Sequence, residues 1–473
     1  MKWLILLSLC MVTLVCRAEG LPDLGDISEA TVSPQQERQI GLQSMVDIRA
    51  DRNYLDDAEI TDYLNQLGYQ LVANSSEPGQ EFEFFVINSP VVNAFALPGG
   101  FICVYTGLIL TTQSESEFAS VLGHEIAHVT QHHLARMISG QRVAGIASIA
   151  AIAVAILSAR SNPDASQALL LGSQGGLIQR QLNFSRSNEQ EADRHGLITL
   201  QKAGFDTRAM PVFLERMQKA TRLLEGNAPS YFRTHPITSD RIADIANRVQ
   251  QTPYRLVADS LNYHLVRARL QTLQKGPRTA IAFFTTALGP QRYGNQTAQR
   301  YGLVLALLRD GQTARATQEF SPLQALVTQN PMIATLAGQI LHADPGTQDI
   351  GGFYRSATQN FPQYRALTYD YAGVLLENKR YDDALKLLDT QVINSPEDTR
   401  LYELQARTYA ALGRHSDEHH ALAQIFSLRG DLHAAIEQLE LARKGVTDYY
   451  ALSTLASELK LLRETLAARE NKN

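Results

Sequence analysis

A chain of 473 residues with 44% hydrophobic and 19% charged side chains can bury the cores of two or three domains, which excludes a disordered or fibrous protein. A formal net charge of −5 and a pI near 6.2 exclude the basic excess expected of a nucleic-acid partner. Three cysteines are too few for a disulfide framework.

Residues 1–18, MKWLILLSLCMVTLVCRA, combine Lys2, an apolar run from Trp3 to Val15 and a small residue at Ala18, the pattern of a cleaved secretory signal. Val15 before Cys16 speaks against a lipid-anchored cysteine. Cys10 and Cys16 leave with the signal, so Cys103 remains alone and no internal disulfide is expected. Ser33 and Pro34 open a helix, and AEITDYLNQLGYQLVANS predicts a second. The period then changes. EFEFFVINSP and GGFICVYTGL are rich in Phe, Val, Ile and Tyr between Pro and Gly, and predict strands of one small sheet. TTQSESEFASVLGHEIAHVTQHHLARM returns to helix, with Ser114 and Glu117 spaced as a capping box.

Residues 143–159 carry no charge, but they are fewer than the roughly 20 apolar residues a spanning helix needs. The segment 140–183, with its Gly, Ser and exposed apolar residues, is expected to be a mobile lid or plug over a site. A membrane anchor is the alternative, and peripheral membrane contact is the most that the main reading allows. From residue 255 the composition shifts to Ala, Leu, Tyr and Gln at helical spacing, with a period of 34. Ala372, Tyr381, Ala384, Leu388 and Pro396 are followed by Ala406, Tyr409, Gly413 and Leu422. Gly430, Ala435, Leu439 and Ala442, and earlier Ala268, Ala280, Phe284, Ala287, Gly311, Ala316 and Phe320, fit the same template. The pattern resembles tetratricopeptide repeats, an interaction surface with no chemistry of its own.

The chemistry lies in VLGHEIAHVTQHH, residues 121–133. On a helix His124 and His128 share a face, where both imidazoles can bind one cation. Glu125 stands beside that point as a general base, completing H-E-x-x-H. A catalytic zinc needs a third protein ligand. The position six residues after the second histidine is Leu134, which rules out the arrangement that uses a histidine there. His132 lies one turn further along the face, too far to join comfortably; His132 and His133 are expected at the surface or supporting a ligand. In SRSNEQEADRHG, residues 185–196, Glu189 and Asp193 are four apart. Spacing alone leaves open a metal ligand with an orienting aspartate or a solvated charged helix.

HEIAH, a downstream E-x-x-x-D, NAFALPGGFICVYTGL before the zinc helix, and THPITSDRIADI with Arg241 together resemble the M48 family of gluzincin-type zinc metalloproteases, over about residues 30–250. The resemblance implies an α+β fold, mostly α, with a protease domain over 19–254 that holds a small β-sheet, followed by a helical repeat domain over 255–473. It implies one Zn2+ per chain on His124, His128 and Glu189, with Glu125 as base and Asp193 holding a ligand histidine. His235 matches a histidine that fills or adjoins the open metal position at rest and can donate to the oxyanion. With its signal and repeats, the chain is similar to periplasmic members of Gram-negative bacteria that act on outer-membrane β-barrel proteins. The implied function is a zinc metalloendopeptidase that degrades misfolded or stalled barrel proteins and assists their assembly. Its partners are unfolded barrel proteins and, through the repeats, the barrel assembly machinery. A client strand is expected to add to the free edge of GGFICVYTGL. A repeat adaptor or chaperone with little proteolysis, and a membrane-anchored protease, are the alternatives.

Overall fold

Helix α1 (Pro34–Ala50) opens with the expected cap: Ser33 accepts from the Gln36 N–H, and Gln36 reaches back to the Ser33 N–H. Helix α2 (Ala58–Val72) is capped by Asp57. Three strands follow, β1 (Glu83–Ile87), β2 (Ala94–Leu97) and β3 (Phe101–Tyr105), in the order β1-β3-β2. β1 runs parallel to β3 and β2 antiparallel to it. The computed structural model describes residues 33–140, 186–222, 231, 235–289, 294–344, 346 and 349–470. The expected signal over 1–18 and, apart from Gly140, the expected lid over 140–183 lie outside these residues, as does the apolar run 143–159. Among the described residues, no helix is long and apolar enough to cross a membrane.

The sheet corrects one expectation. GGFICVYTGL supplies β3, which is fully buried and paired on both sides, so it has no free edge. Gly99 and Gly100, at φ 74° and 85°, turn β2 back against β3. A Cβ at Gly100 would lie 2.2 Å from the Glu81 carbonyl oxygen. This tight turn leaves β2 as the outer strand, with one partner among the described residues.

Helix α3 (Thr106–Thr111) leads into α4 (Glu115–Thr130), whose sixteen residues are all buried. Ser114 caps it by accepting from the Glu117 N–H at 3.1 Å, while the Glu117 carboxylate accepts from the Gln113 N–H, one residue before the usual capping-box position. Helices α5 (His133–Gly140), α6 (Arg186–Lys202) and α7 (Ala209–Arg222) pack around it, and α8 (Ser239–Gln250) packs on α6 and α7. Helical hairpins follow. They are α9 (Leu261–Gln274) with α10 (Pro277–Ala287), α11 (Gln296–Arg309) with α12 (Thr313–Phe320), and α13 (Pro331–Ala343) with α14 (Ile350–Asn360). Next come α15 (Arg365–Glu377) with α16 (Tyr381–Asn394), α17 (Thr399–Ala411) with α18 (His415–Leu428), and α19 (Leu432–Ala442) with α20 (Tyr449–Glu470).

The repeat template fits: Ala268, Ala280, Phe284, Ala316, Phe320, Ala372, Ala384, Leu388, Ala406, Ala435, Leu439 and Ala442 are buried. Leu422 is half-buried, and its helix instead buries Ala421, Ala423 and Ile425. The sequence-read boundary at 254/255 falls in a connection without regular structure, yet one hydrophobic cluster continues across it from Ile60 to Ile340. Each fully buried Leu or Phe in it contributes about 1.5–3 kcal/mol relative to exposure. Polar ties cross as well. Glu115 at the start of α4 accepts from the Tyr63 hydroxyl at 2.9 Å and from the Ser260 N–H and hydroxyl at 2.7 Å. Arg269 pairs with Asp57 at 2.8 Å, and Arg365 with Asp62 at 2.6 Å.

Four three-residue turns between successive repeat helices place their middle residue in the left-handed region: Gly311 (φ 74°), Lys379 (φ 56°), Gly413 (φ 69°) and Gly430 (φ 76°). A Cβ at Gly311 or Gly413 meets nothing within 4 Å, so substitution there changes only backbone preference. Gly311→Ala and Gly413→Ala should each lower stability in urea unfolding by about 1 kcal/mol, and Lys379→Gly should raise it by up to about 1 kcal/mol.

Candidate metal centre

Helix α4 lies on α6 with the two backbones nearly touching. A Cβ on Gly196 would lie 3.0 Å from the His124 nitrogen, and one on Gly123 would lie 3.2 Å from the Gly196 oxygen. This approach brings His124 and His128 against Glu189 and Asp193, and all four side chains are buried. The His124 and His128 Nε2 atoms are 3.0 Å apart. Glu189 Oε1 lies 3.3 Å from His128 Nε2, and Glu189 Oε2 lies 3.5 Å from His124 Nε2. His235 joins them, its Nδ1 3.0 Å from Glu189 Oε1 and 3.3 Å from His124 Nε2. One ligand-type atom from each of His124, His128, Glu189 and His235 falls within 4.8 Å of the others.

The donor set fits a cation. His124 Nδ1 lies 3.0 Å from Asp193 Oδ1, which assigns its proton to that nitrogen and leaves the Nε2 lone pair facing the cluster. Asp193 is held in turn by Arg241, whose Nε and second terminal nitrogen donate to its two oxygens at 2.7 Å. Arg241 Nη1 also lies 2.7 Å from Glu189 Oε2, an oxygen with no hydrogen-bond partner. Burial works against a charge on His124, but Asp193 and Glu189 outweigh it and raise its pKa to about 10. Burial opposes ionisation of Glu189, yet the His235, His124 and His128 rings hold its pKa well below the usual carboxylate range. Positive charge at this point is strongly favoured.

Glu125 is buried beside the cluster, and neither of its carboxylate oxygens has a hydrogen-bond partner. His235 Nε2 is 3.7 Å from Glu125 Oε1. Burial raises the Glu125 pKa, and His235 and His124 only partly reverse this. The Ala96 N–H of β2 faces the same carboxylate, so the sheet's outer strand runs beside it. The arrangement offers a buried cation position and a proton acceptor, beside a strand edge that no other described strand pairs with.

The structure brings His124, Glu125, His128, Glu189, Asp193 and His235 together. It also separates two neighbours. Helix α4 ends at Thr130, and His132 takes a left-handed φ of 50°. His132 therefore leaves the His128 face and sits between Glu37 and Glu77, while His133 folds back with its Nδ1 2.8 Å from His128 Nδ1. Tyr231, unmarked by any motif, stacks on His235 with ring centroids 4.8 Å apart, and its carbonyl accepts the His235 N–H at 2.8 Å. Arg241 was visible as part of a block, but nothing in the spacing gave it a role. Its position in the first turn of α8, after the Thr238 cap, aims it at Asp193.

The model of peptidase family M48 matches residues 59–249, and that of the tetratricopeptide repeat matches residues 352–408. A putative β-barrel assembly-enhancing protease of Vibrio cholerae is 34% identical over 419 residues, 88% of this chain and 86% of that protein. The β-barrel assembly-enhancing protease of Escherichia coli is 32% identical over 433 residues, 91% of this chain and 88% of that protein. The likeness to the mitochondrial metalloendopeptidase OMA1 of Arabidopsis thaliana is partial: 34% identity over 216 residues, 45% of this chain and 41% of that protein.

Removing the arginine should loosen the centre without touching a ligand-type side chain. Arg241→Met is expected to weaken metal binding by roughly 10–100-fold, measured by competition with a chelator.

Proposed function

The chain is a metalloprotease that belongs to peptidase family M48, and from that footing we propose that it is a periplasmic zinc endopeptidase that cuts misfolded or stalled outer-membrane β-barrel proteins and assists their assembly. The observation that carries the chemistry is the buried convergence of His124, His128, Glu189 and His235 beside Glu125. Two imidazoles with a carboxylate are a set that suits zinc. The client class rests on the names of the Vibrio and Escherichia relatives, which align over most of this chain. In this reading residues 1–18 are the export signal, 19–254 the protease unit and 255–473 the repeats that dock a client or the barrel assembly machinery.

Zinc, when bound, supplies a Lewis acid that polarises the scissile carbonyl and makes water acidic enough to lose a proton near neutral pH. His124, His128 and Glu189 would hold the ion. Asp193, backed by Arg241, keeps the His124 ring in the ligating orientation. A client segment pairs with β2 through main-chain hydrogen bonds, which suits unfolded, strand-forming substrates. Glu125, with no hydrogen bonds to break, takes the proton of the attacking water at its carboxylate and returns it to the leaving nitrogen. His235, with its Nδ1 3.0 Å from Glu189 Oε1, would cover the cluster at rest. When a client enters it yields, and its ring N–H then serves the oxyanion.

Glu125→Gln should reduce cleavage of an unfolded barrel protein by at least about 10²-fold with zinc content unchanged. Equal cleavage by Glu125→Gln and wild type would sink the proposed mechanism. His235→Ala should cleave faster than wild type if that ring is the resting block. A slower rate, with zinc retained, would assign it to the oxyanion alone.

A further inference from the structure

We propose that His133, Glu191 and Arg136 form a relay that fixes the proton position and ring orientation of His128, making His133 a positioning residue for the metal centre. This rests on the zinc reading above. A ligand histidine must turn a lone pair to the ion, so its other ring nitrogen must carry the proton and needs an acceptor. For His124 that acceptor is Asp193. For His128 the group that meets the other ring nitrogen is His133. The His128 Nδ1 lies 2.8 Å from the Nδ1 of His133, which is fully buried.

Two imidazole nitrogens facing each other can share a proton in either direction. The next link decides it. His133 Nε2 lies 3.1 Å from Glu191 Oε2, and an ionised carboxylate only accepts. His133 therefore carries its proton on Nε2 and accepts at Nδ1. That in turn places the His128 proton on Nδ1 and frees its Nε2 for the ion. Arg136 Nη2 donates to the same Glu191 oxygen at 2.8 Å and holds it in place as an acceptor. Glu191 is two residues from both Glu189 and Asp193, so it leaves α6 on another side and meets α5 instead. The left-handed turn at His132 is what lets the neighbouring His133, at the start of α5, fold under His128. The two histidines thus have parallel supports: His124 on Asp193 and Arg241, and His128 on His133, Glu191 and Arg136.

The test is zinc affinity of the full mature chain by chelator competition, with the visible absorption of the cobalt-loaded protein as a second readout. His133→Leu should bind zinc roughly 10–100-fold more weakly and alter the cobalt spectrum. His133→Gln should recover most of both, because its amide oxygen accepts and its amide N–H donates along the same line. His415→Ala, at an exposed histidine of the repeats, should match wild type. Should His133→Leu not fold, Glu191→Leu at its partly exposed site should weaken zinc in the same direction. A His133→Leu chain with wild-type affinity and spectrum overturns the relay. So does a His133→Gln chain no better than His133→Leu, which would make the role one of packing. A wild-type chain that takes up no zinc overturns the zinc reading itself, whereas wild-type binding matched by His133→Leu overturns only the relay.

Discussion

Gly123 and Gly196 let α4 and α6 meet backbone to backbone, and that approach sets the reach of the side chains that these two helices bring to the metal centre. Histidine and glutamate side chains are of fixed length. At an ordinary helix separation of about 8–10 Å, His124 and His128 would not close on Glu189 within a few ångström. A methyl group at either glycine would have to push the helices apart, and neighbouring atoms already stand at about 3 Å. The same contact seats Asp193 under His124, so ligand and support are positioned by one constraint.

A close cluster of this kind is electrostatically unfavourable by itself. Glu125, Glu189 and Asp193 place three carboxylates in a dry interior, where an unpaired charge costs several kcal/mol. Arg241 answers one of them and touches two. A divalent cation would offset the carboxylate charge that Arg241 leaves, in keeping with the convergence of His124, His128, Glu189 and His235. The site is therefore built around a cation. What the chain contributes is a frame that keeps lone pairs and carboxylates converging. The repeat region shares in that frame. Glu115, on the first turn of α4, is tied to Ser260, and one apolar cluster runs from α2 through α13. Motion of the repeats would therefore be felt at the start of the helix that carries His124 and His128.

The sequence showed the elements whose signal is local. H-E-x-x-H was readable because a helix brings residues four apart onto one face, and the small residues of the repeats were readable because each sits where two helices touch. Glu189 and Asp193 were ambiguous by spacing, since an exposed helix carries the same acids; only the resemblance separated the two cases. Three features were hidden for different physical reasons. The outer place of β2 depends on a hairpin turn and on pairing between strands distant in sequence. The separate placement of His132 and His133 depends on one left-handed residue that no composition signals. Arg241 acts through a contact with Asp193 far away in sequence and Tyr231 by stacking on His235, and a lone arginine or tyrosine carries no periodic mark. Lys379 shows the converse: its turn is built like those at Gly311 and Gly413, but without the glycine that would have announced it.

The central claim is that His124, His128 and Glu189 hold one zinc while His235 fills the remaining position at rest. X-ray absorption at the zinc edge of the purified mature chain, beside the His235→Ala chain, addresses it most directly. The account predicts one zinc per chain with only nitrogen and oxygen neighbours, at about 2.0–2.2 Å. It further predicts three imidazoles around the ion in the wild type and two in His235→Ala. Sulfur scattering from Cys103, or an imidazole count unchanged by removing His235, would contradict it.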